Sequence, residues 1–209
     1  MPLNSAIVVA ACSTSPWDLG NEVLYSLCRT HPTHANREAV IAKVWLIGRS
    51  YAAAIERGRG KSEKNDDFYA DKVAPQILAS EIDQWLQKLV PFTHPNSKSL
   101  PHILRTHGQV TALFKQISGM DKRSLASKYL HFHLPHLFYI FDSRAVEAMR
   151  KLSGLVGRAL DTQPDADREY DKFAQKCLLL QNHVTQELGI SMLPRGLDNL
   201  LLRLHTVDA

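Results

Sequence analysis

Cysteine is scarce in this chain: three in 209 residues, Cys12, Cys28 and Cys177, far apart and odd in number. No pair sits at a zinc or iron–sulfur spacing, so no metal site and no cofactor is expected. No disulfide framework can be drawn from them, which fits a reducing cytoplasm. Long hydrophobic runs are also missing. Ala6–Cys12 is apolar but far too short to cross a bilayer, and no basic segment precedes it. Neither a signal peptide nor a membrane partner is expected. Alternation of apolar and polar residues never persists beyond a few positions, which removes the sheet signature. Internal repeats and low-complexity tracts are absent.

What is present is ordinary globular composition. Hydrophobic residues make up 44% of the chain, enough for one substantial core or two small helical lobes. The formal net charge is +4, with ten histidines besides. That balance permits a nucleic-acid partner without demanding one.

Helical periodicity dominates. Ser15-Pro16 marks a helix start, with Leu19, Val23, Leu24 and Leu27 on one face to Arg29. Asn36 caps the next helix, Arg37 to about Arg57, with Val40, Val44, Trp45, Ile47 and Tyr51 at helical spacing. Gly58–Asp67 is polar and reads as a loop. Phe68–Leu89 is helical with a kink or restart at Pro75, and residues 90–98 form a proline-bearing link. Ser99 and Pro101 start a helix that Gly119 ends, because glycine enters the left-handed region without penalty. After a turn at 162–167, a helix over Arg168–Leu188 is capped by Gly189, and Pro194 starts the last one. The fold expected is all-α.

The stretch Ile117–Ala145, ISGMDKRSLASKYLHFHLPHLFYIFDSRA, holds the candidate chemistry. A helix ends at Gly119, and Asp121, Lys122 and Arg123 form a solvent-facing turn. Ser124 caps a new helix, Pro135 stops it, and Asp142 occupies the N-cap position of SRAVEAM. This stretch resembles the helix-hairpin-helix DNA glycosylases of the HhH-GPD superfamily. There, a hairpin grips a DNA backbone and a proline-bearing loop delivers one aspartate at a helix start. The resemblance implies two helical lobes around a cleft, one near residues 99–165 and the other from residues 1–98 plus 166–209. It assigns Gly119, Asp121, Lys122, Arg123 and Ser124 to DNA binding and Asp142 to catalysis. The hairpin departs from the family's L-P-G-V-G pattern. The lysine that forms a Schiff base in bifunctional members falls near Arg123, so a monofunctional enzyme is expected. Lys128, on the helix after the turn, is the second candidate for an active-site amine.

Other residues carry competing readings. Arg49, Tyr51 and Glu56 lie on an otherwise apolar helix, where they could form a salt-bridged face or line a base pocket. His131, His133 and His136 suggest a metal site, but residues two apart on a helix point about 200° apart. They are assigned no metal, and His131 and His133 are placed near the base pocket instead. Arg195 and Asp198 read as a helix-start pair fixing the C-terminal helix.

The function expected is hydrolysis of an N-glycosidic bond in double-stranded DNA by a monomeric enzyme, leaving an abasic site. The base would be flipped, since its sugar carbon is out of reach inside the stack. Candidate bases are a modified cytosine of phage DNA, such as a glucosylated hydroxymethylcytosine in anti-phage defence, or oxidised and alkylated bases in repair. Two rivals belong to other classes. One is a non-catalytic DNA-binding module. The other is a HEPN-like ribonuclease toxin, since Arg29 and His34 match its short Arg-x4–6-His pattern.

Overall fold

The computed structural model describes residues 3–58, 64–157 and 163–206. Among them the secondary structure is helical throughout, with no strand. In chain order the helices are α1 Ser5–Cys12, α2 Asp18–Thr30, α3 Arg37–Ser50, α4 Asn65–Asp67, α5 Ala74–Leu78, α6 Ile82–Gln87, α7 Leu100–Ser118, α8 Arg123–His133, α9 Ser143–Lys151, α10 Ser153–Val156, α11 Arg168–Leu188 and α12 Pro194–Thr206. A 3-10 turn, Ile55–Gly58, follows α3, and a π-helical turn, Phe68–Val73, precedes Pro75 and α5.

Local chemistry explains most boundaries. The side chains of Asn36, Asp142 and Asp167 each accept a hydrogen bond from a first-turn N–H, of Ala39, Ala145 and Tyr170. Gly119 and Gly189 end α7 and α11 with φ of 71° and 67°. Three expectations need correction. Helix α3 stops at Ser50 rather than near Arg57, because Ala52 turns to a φ of 52° and redirects the chain. Ser124 does not cap α8: the cap position is Lys122, which makes no side-chain cap bond. The buried face of α2 is Asn21, Leu24 and Cys28, while Leu19 and Val23 are exposed. The loop expected over Gly58–Asp67 falls partly on residues 59–63, outside those described, and its last three residues form α4.

Apolar side chains gather in two clusters. One joins α2, α3, α5, α6, α7 and α8 through residues such as Leu24, Ile47, Ile77, Phe114, Tyr129 and Phe132. The other joins α1, α9, α10, α11 and α12, with Leu104 of α7, through Val8, Tyr139, Met149, Leu180 and Leu201. α8 and most of α7 pack with α2, α3, α5 and α6, the C-terminal pair packs with the Asp142 helix, and Leu104 of α7 reaches the second cluster. The switch occurs between neighbours, since Phe138 belongs to the first cluster and Tyr139 to the second. No helix among the described residues is long and apolar enough to cross a membrane. Cys12, Cys28 and Cys177 are free thiols.

Candidate active site

The irregular segment from α8 to α9 sets Asp142 in place. Its carbonyls and amides are tied down on both sides. His131 Nδ1 donates to the Phe138 carbonyl at 2.8 Å, and the Phe141 N–H donates to Ser127 Oγ at 3.0 Å. Tyr170 donates its hydroxyl to the Tyr139 carbonyl, and Tyr139 donates to Gln181 Oε1 at 2.6 Å. Asp142 then uses one oxygen on its own helix: Oδ1 accepts from the Ala145 N–H at 2.9 Å. Its Oδ2 is left facing Lys128 Nζ at 4.0 Å and Arg144 at 3.6 Å.

Lys128 is 3% exposed in its side chain. Its amine donates to the Tyr51 carbonyl at 3.2 Å and to Ser124 Oγ at 2.9 Å, and sits 5.7 Å from the Tyr51 ring centre. Burial holds its pKa below the usual lysine value, and the Asp142 carboxylate works against that shift. Asp142 opens onto a cavity of about 620 Å³ walled by residues 51–54 and Arg57, by Met120, Asp121, Lys122, Ser124 and Leu125, and by Asp142–Arg144, with Lys128 buried behind it. The N-termini of α8 and α9 both reach its wall. The first turn of α8 has no side-chain cap, so its orphan N–H groups can meet an anionic ligand there.

The structure gathers Asp142, Tyr51, Ser124, Asp121 and Lys122 around this cavity, with Lys128 buried behind Tyr51 and Ser124. It puts other candidates elsewhere. Arg49 pairs with Glu56, and Tyr69 donates to Glu56 Oε2 at 2.6 Å, so both are spent on the fold and neither lines the cavity. His131 is buried and His133 half-buried, and neither lines this cavity. His131 donates through Nδ1 to a carbonyl, so its Nε2 accepts the Tyr25 hydroxyl at 2.7 Å. His133 likewise donates to the Tyr129 carbonyl, and Lys43 lies 3.2 Å from its other nitrogen. Burial lowers the pKa of both, that of His131 to about 4, and keeps them neutral at pH 7.

The hairpin cations are not solvated as expected. Lys122 is buried and donates to the Ala54 carbonyl at 3.1 Å. Arg123 directs Nε at both oxygens of Asp167, at 2.9 and 3.1 Å. Gly119 makes the turn, and Asp121 pairs with Lys115 at 3.0 Å. The ribonuclease pattern does not form a pair either: Arg29 bonds Glu22, while His34 bonds Asp83 and Tyr129. Among the described residues no cluster could hold a metal ion.

Arg57 and Arg144 line the cavity and escaped the sequence reading. Arg144 could have been found, since it lies in the first turn after the cap aspartate. Arg57 carries no such signal, because its position depends on the turn at Ala52. No protein-family model, no curated protein and no solved structure matches this chain.

Proposed function

We propose that this chain is a monofunctional DNA glycosylase that works at the Asp142 cavity. The observation that carries the reading is the carboxylate itself. Asp142 is fixed by its own helix through one oxygen and offers the other to an open cavity beside a buried amine. A fixed anion at that place can stabilise positive charge developing on a sugar and can take a proton from water. The uncapped start of α8, with Arg57 and Arg144, suits the flanking phosphates.

The reaction needs no redox partner. The C1′–N bond breaks and its electron pair leaves with the base, which takes a proton from solvent. Water oxygen bonds to C1′, and its proton passes to Asp142. Lys128 acts as a positioning residue: its charge, held by the Tyr51 carbonyl and the Ser124 hydroxyl, faces the free oxygen of Asp142 at 4.0 Å. The modified-base reading supplies the selectivity such an enzyme needs, because excision of normal bases from its own genome would be lethal.

The test is base release measured by mass spectrometry. Substrates are host DNA, oxidised or alkylated host DNA, and phage DNA with natural or glucosylated cytosines. Release from one modified substrate, lost by more than about 100-fold in Asp142→Asn, is the expected result. Release only from damaged host DNA selects repair over defence. DNA binding with no release from any substrate selects the non-catalytic module, and cleavage of RNA selects the ribonuclease.

A further inference from the structure

A second cavity, of about 540 Å³, adjoins the first, and Tyr51, Ala52 and Arg144 line both. Its size falls in the roughly 300–1,000 Å³ range of small-molecule sites. Its polar lining is unusual. Among the described residues three buried side-chain atoms lack a hydrogen-bond partner: Asn21 Nδ2, Arg195 Nε and Asp198 Oδ1. All three belong to this corner of the molecule, and Asn21 and Arg195 line the cavity directly. Buried polar atoms are nearly always paired, so a clustered set without partners points to a missing ligand.

The partners these side chains do have fix their orientation. Asn21 is 7% exposed, and its Oδ1 accepts the Tyr51 hydroxyl at 2.7 Å, which leaves its amide hydrogens uncommitted. Arg195 donates from one terminal nitrogen to Asp198 Oδ2 at 2.6 Å, which holds the guanidinium plane and leaves Nε unused. Two side chains with unused donors therefore line one space. Trp17, 76% exposed, stands among the lining residues as a flat apolar ring. Ala52, between the two cavities, holds a φ of 52° that L residues rarely adopt.

We propose that this second cavity is the base-receiving pocket, and that Asn21 and Arg195 select the base by donating to acceptor atoms on its edge. The inference rests on the glycosylase reading of the Asp142 cavity, with which it shares a wall. The chemistry asks for a heterocycle presenting a carbonyl oxygen or ring nitrogen toward two donors, as the O2 and N3 edge of a cytosine-type pyrimidine does. Tyr51 links the two sites, because its carbonyl holds the Lys128 amine while its hydroxyl holds Asn21.

The experiment uses the full chain carrying Asp142→Asn, so that substrate persists. Affinity is measured for duplexes that differ at one position: cytosine, 5-hydroxymethylcytosine, glucosylated 5-hydroxymethylcytosine, 8-oxoguanine, or a tetrahydrofuran abasic analogue. Asn21→Asp keeps the shape and still accepts from Tyr51, but replaces the donor by an acceptor. It should weaken binding to the preferred base roughly ten-fold or more and leave the tetrahydrofuran duplex unchanged. Arg195→Lys, which keeps the charge toward Asp198, should act in the same direction. An equal loss on all duplexes, or an unchanged base preference, overturns the pocket assignment. The two readings fail separately. Unchanged preference with excision still dependent on Asp142 removes only the pocket. A base-dependent effect of Asn21→Asp with no excision by the unmodified protein removes only the glycosylase.

Discussion

The Lys128 amine and the Asp142 carboxylate face each other across 4.0 Å, the amine almost fully buried and the carboxylate at the edge of an open cavity. A buried cation beside one anion, with two neutral oxygens as its other partners, is a device for holding charge in place. Lys128→Met should therefore lower the excision rate, because the free oxygen of Asp142 loses the charge that faces it. Lys128→Arg, which keeps the charge, should restore part of the rate. Borohydride should trap no covalent adduct in the unmodified protein, since the proposed nucleophile is water. An adduct that disappears with Lys128→Met would replace this mechanism by amine attack.

The cations divide into those used by the fold and those facing the cavity. Arg123 is held by Asp167, and the hydrogen bonds between them hold Arg123 above and Asp167 below its ordinary pKa, against the opposing effect of burial. Arg57 lines the cavity. Arg57→Ala should reduce the slope of log affinity against log salt by about 1 while leaving the melting temperature unchanged. Arg123→Ala should instead lower the melting temperature. The opposite assignment, stability from Arg57 and salt slope from Arg123, would restore the hairpin reading drawn from the sequence.

How far the sequence reaches can be judged from these same residues. Caps are local, so Asn36, Asp142, Gly119 and Gly189 announce themselves: each needs only its own backbone geometry and a neighbour within a turn. The all-helical class follows from periodicity for the same reason. Long-range pairing is not local. Nothing near Arg123 in the chain announces Asp167, and nothing near Lys122 announces the Ala54 carbonyl. A surface-looking basic turn was therefore read as solvated when the fold consumes both cations. The partners of the histidines are equally out of reach of a local reading, because His131 answers to Tyr25 and His133 to Lys43 across the core. Asn21 left one trace, a polar residue among apolar positions on the buried face of α2.

Acid should unfold this protein early. Burial lowers the pKa of His34, His107 and His131 to about 4, each below the ordinary value of 6.5. In the folded state they stay neutral, whereas the unfolded chain takes up their protons from about pH 6.5. Stability is therefore full above pH 6.5 and is lost as pH falls toward 4. The loss is on the order of 3 kcal/mol per histidine at most. Asp198 works the other way: burial raises its pKa to about 6, so its contribution is present at low pH and lost as pH rises through 6. Three histidines outweigh one carboxylate, so the urea midpoint should fall steeply between pH 6.5 and 4. His131→Gln should flatten that dependence, and a midpoint that rises on acidification would contradict the burial of these rings.

Gly108 gives the sharpest test of the packing that sets the hairpin. It lies inside α7, where glycine is unfavourable, yet a methyl group there would come within 2.6 Å of the Asp165 carbonyl oxygen. That oxygen is backbone and cannot swing aside. The loop it belongs to carries Asp167, which caps α11 and holds Arg123 at the start of α8. Gly108→Ala should therefore destabilise the fold by roughly 1–3 kcal/mol through overpacking, although helix propensity alone favours alanine. Gly20, in α2, meets nothing within 4 Å, and Gly20→Ala should stabilise by up to about 1 kcal/mol. Urea midpoints of the two variants should move in opposite directions. A shared gain would mean that α7 and the 163–167 loop do not approach as closely as 2.6 Å implies, and that Asp167 is not held against Arg123 by this contact.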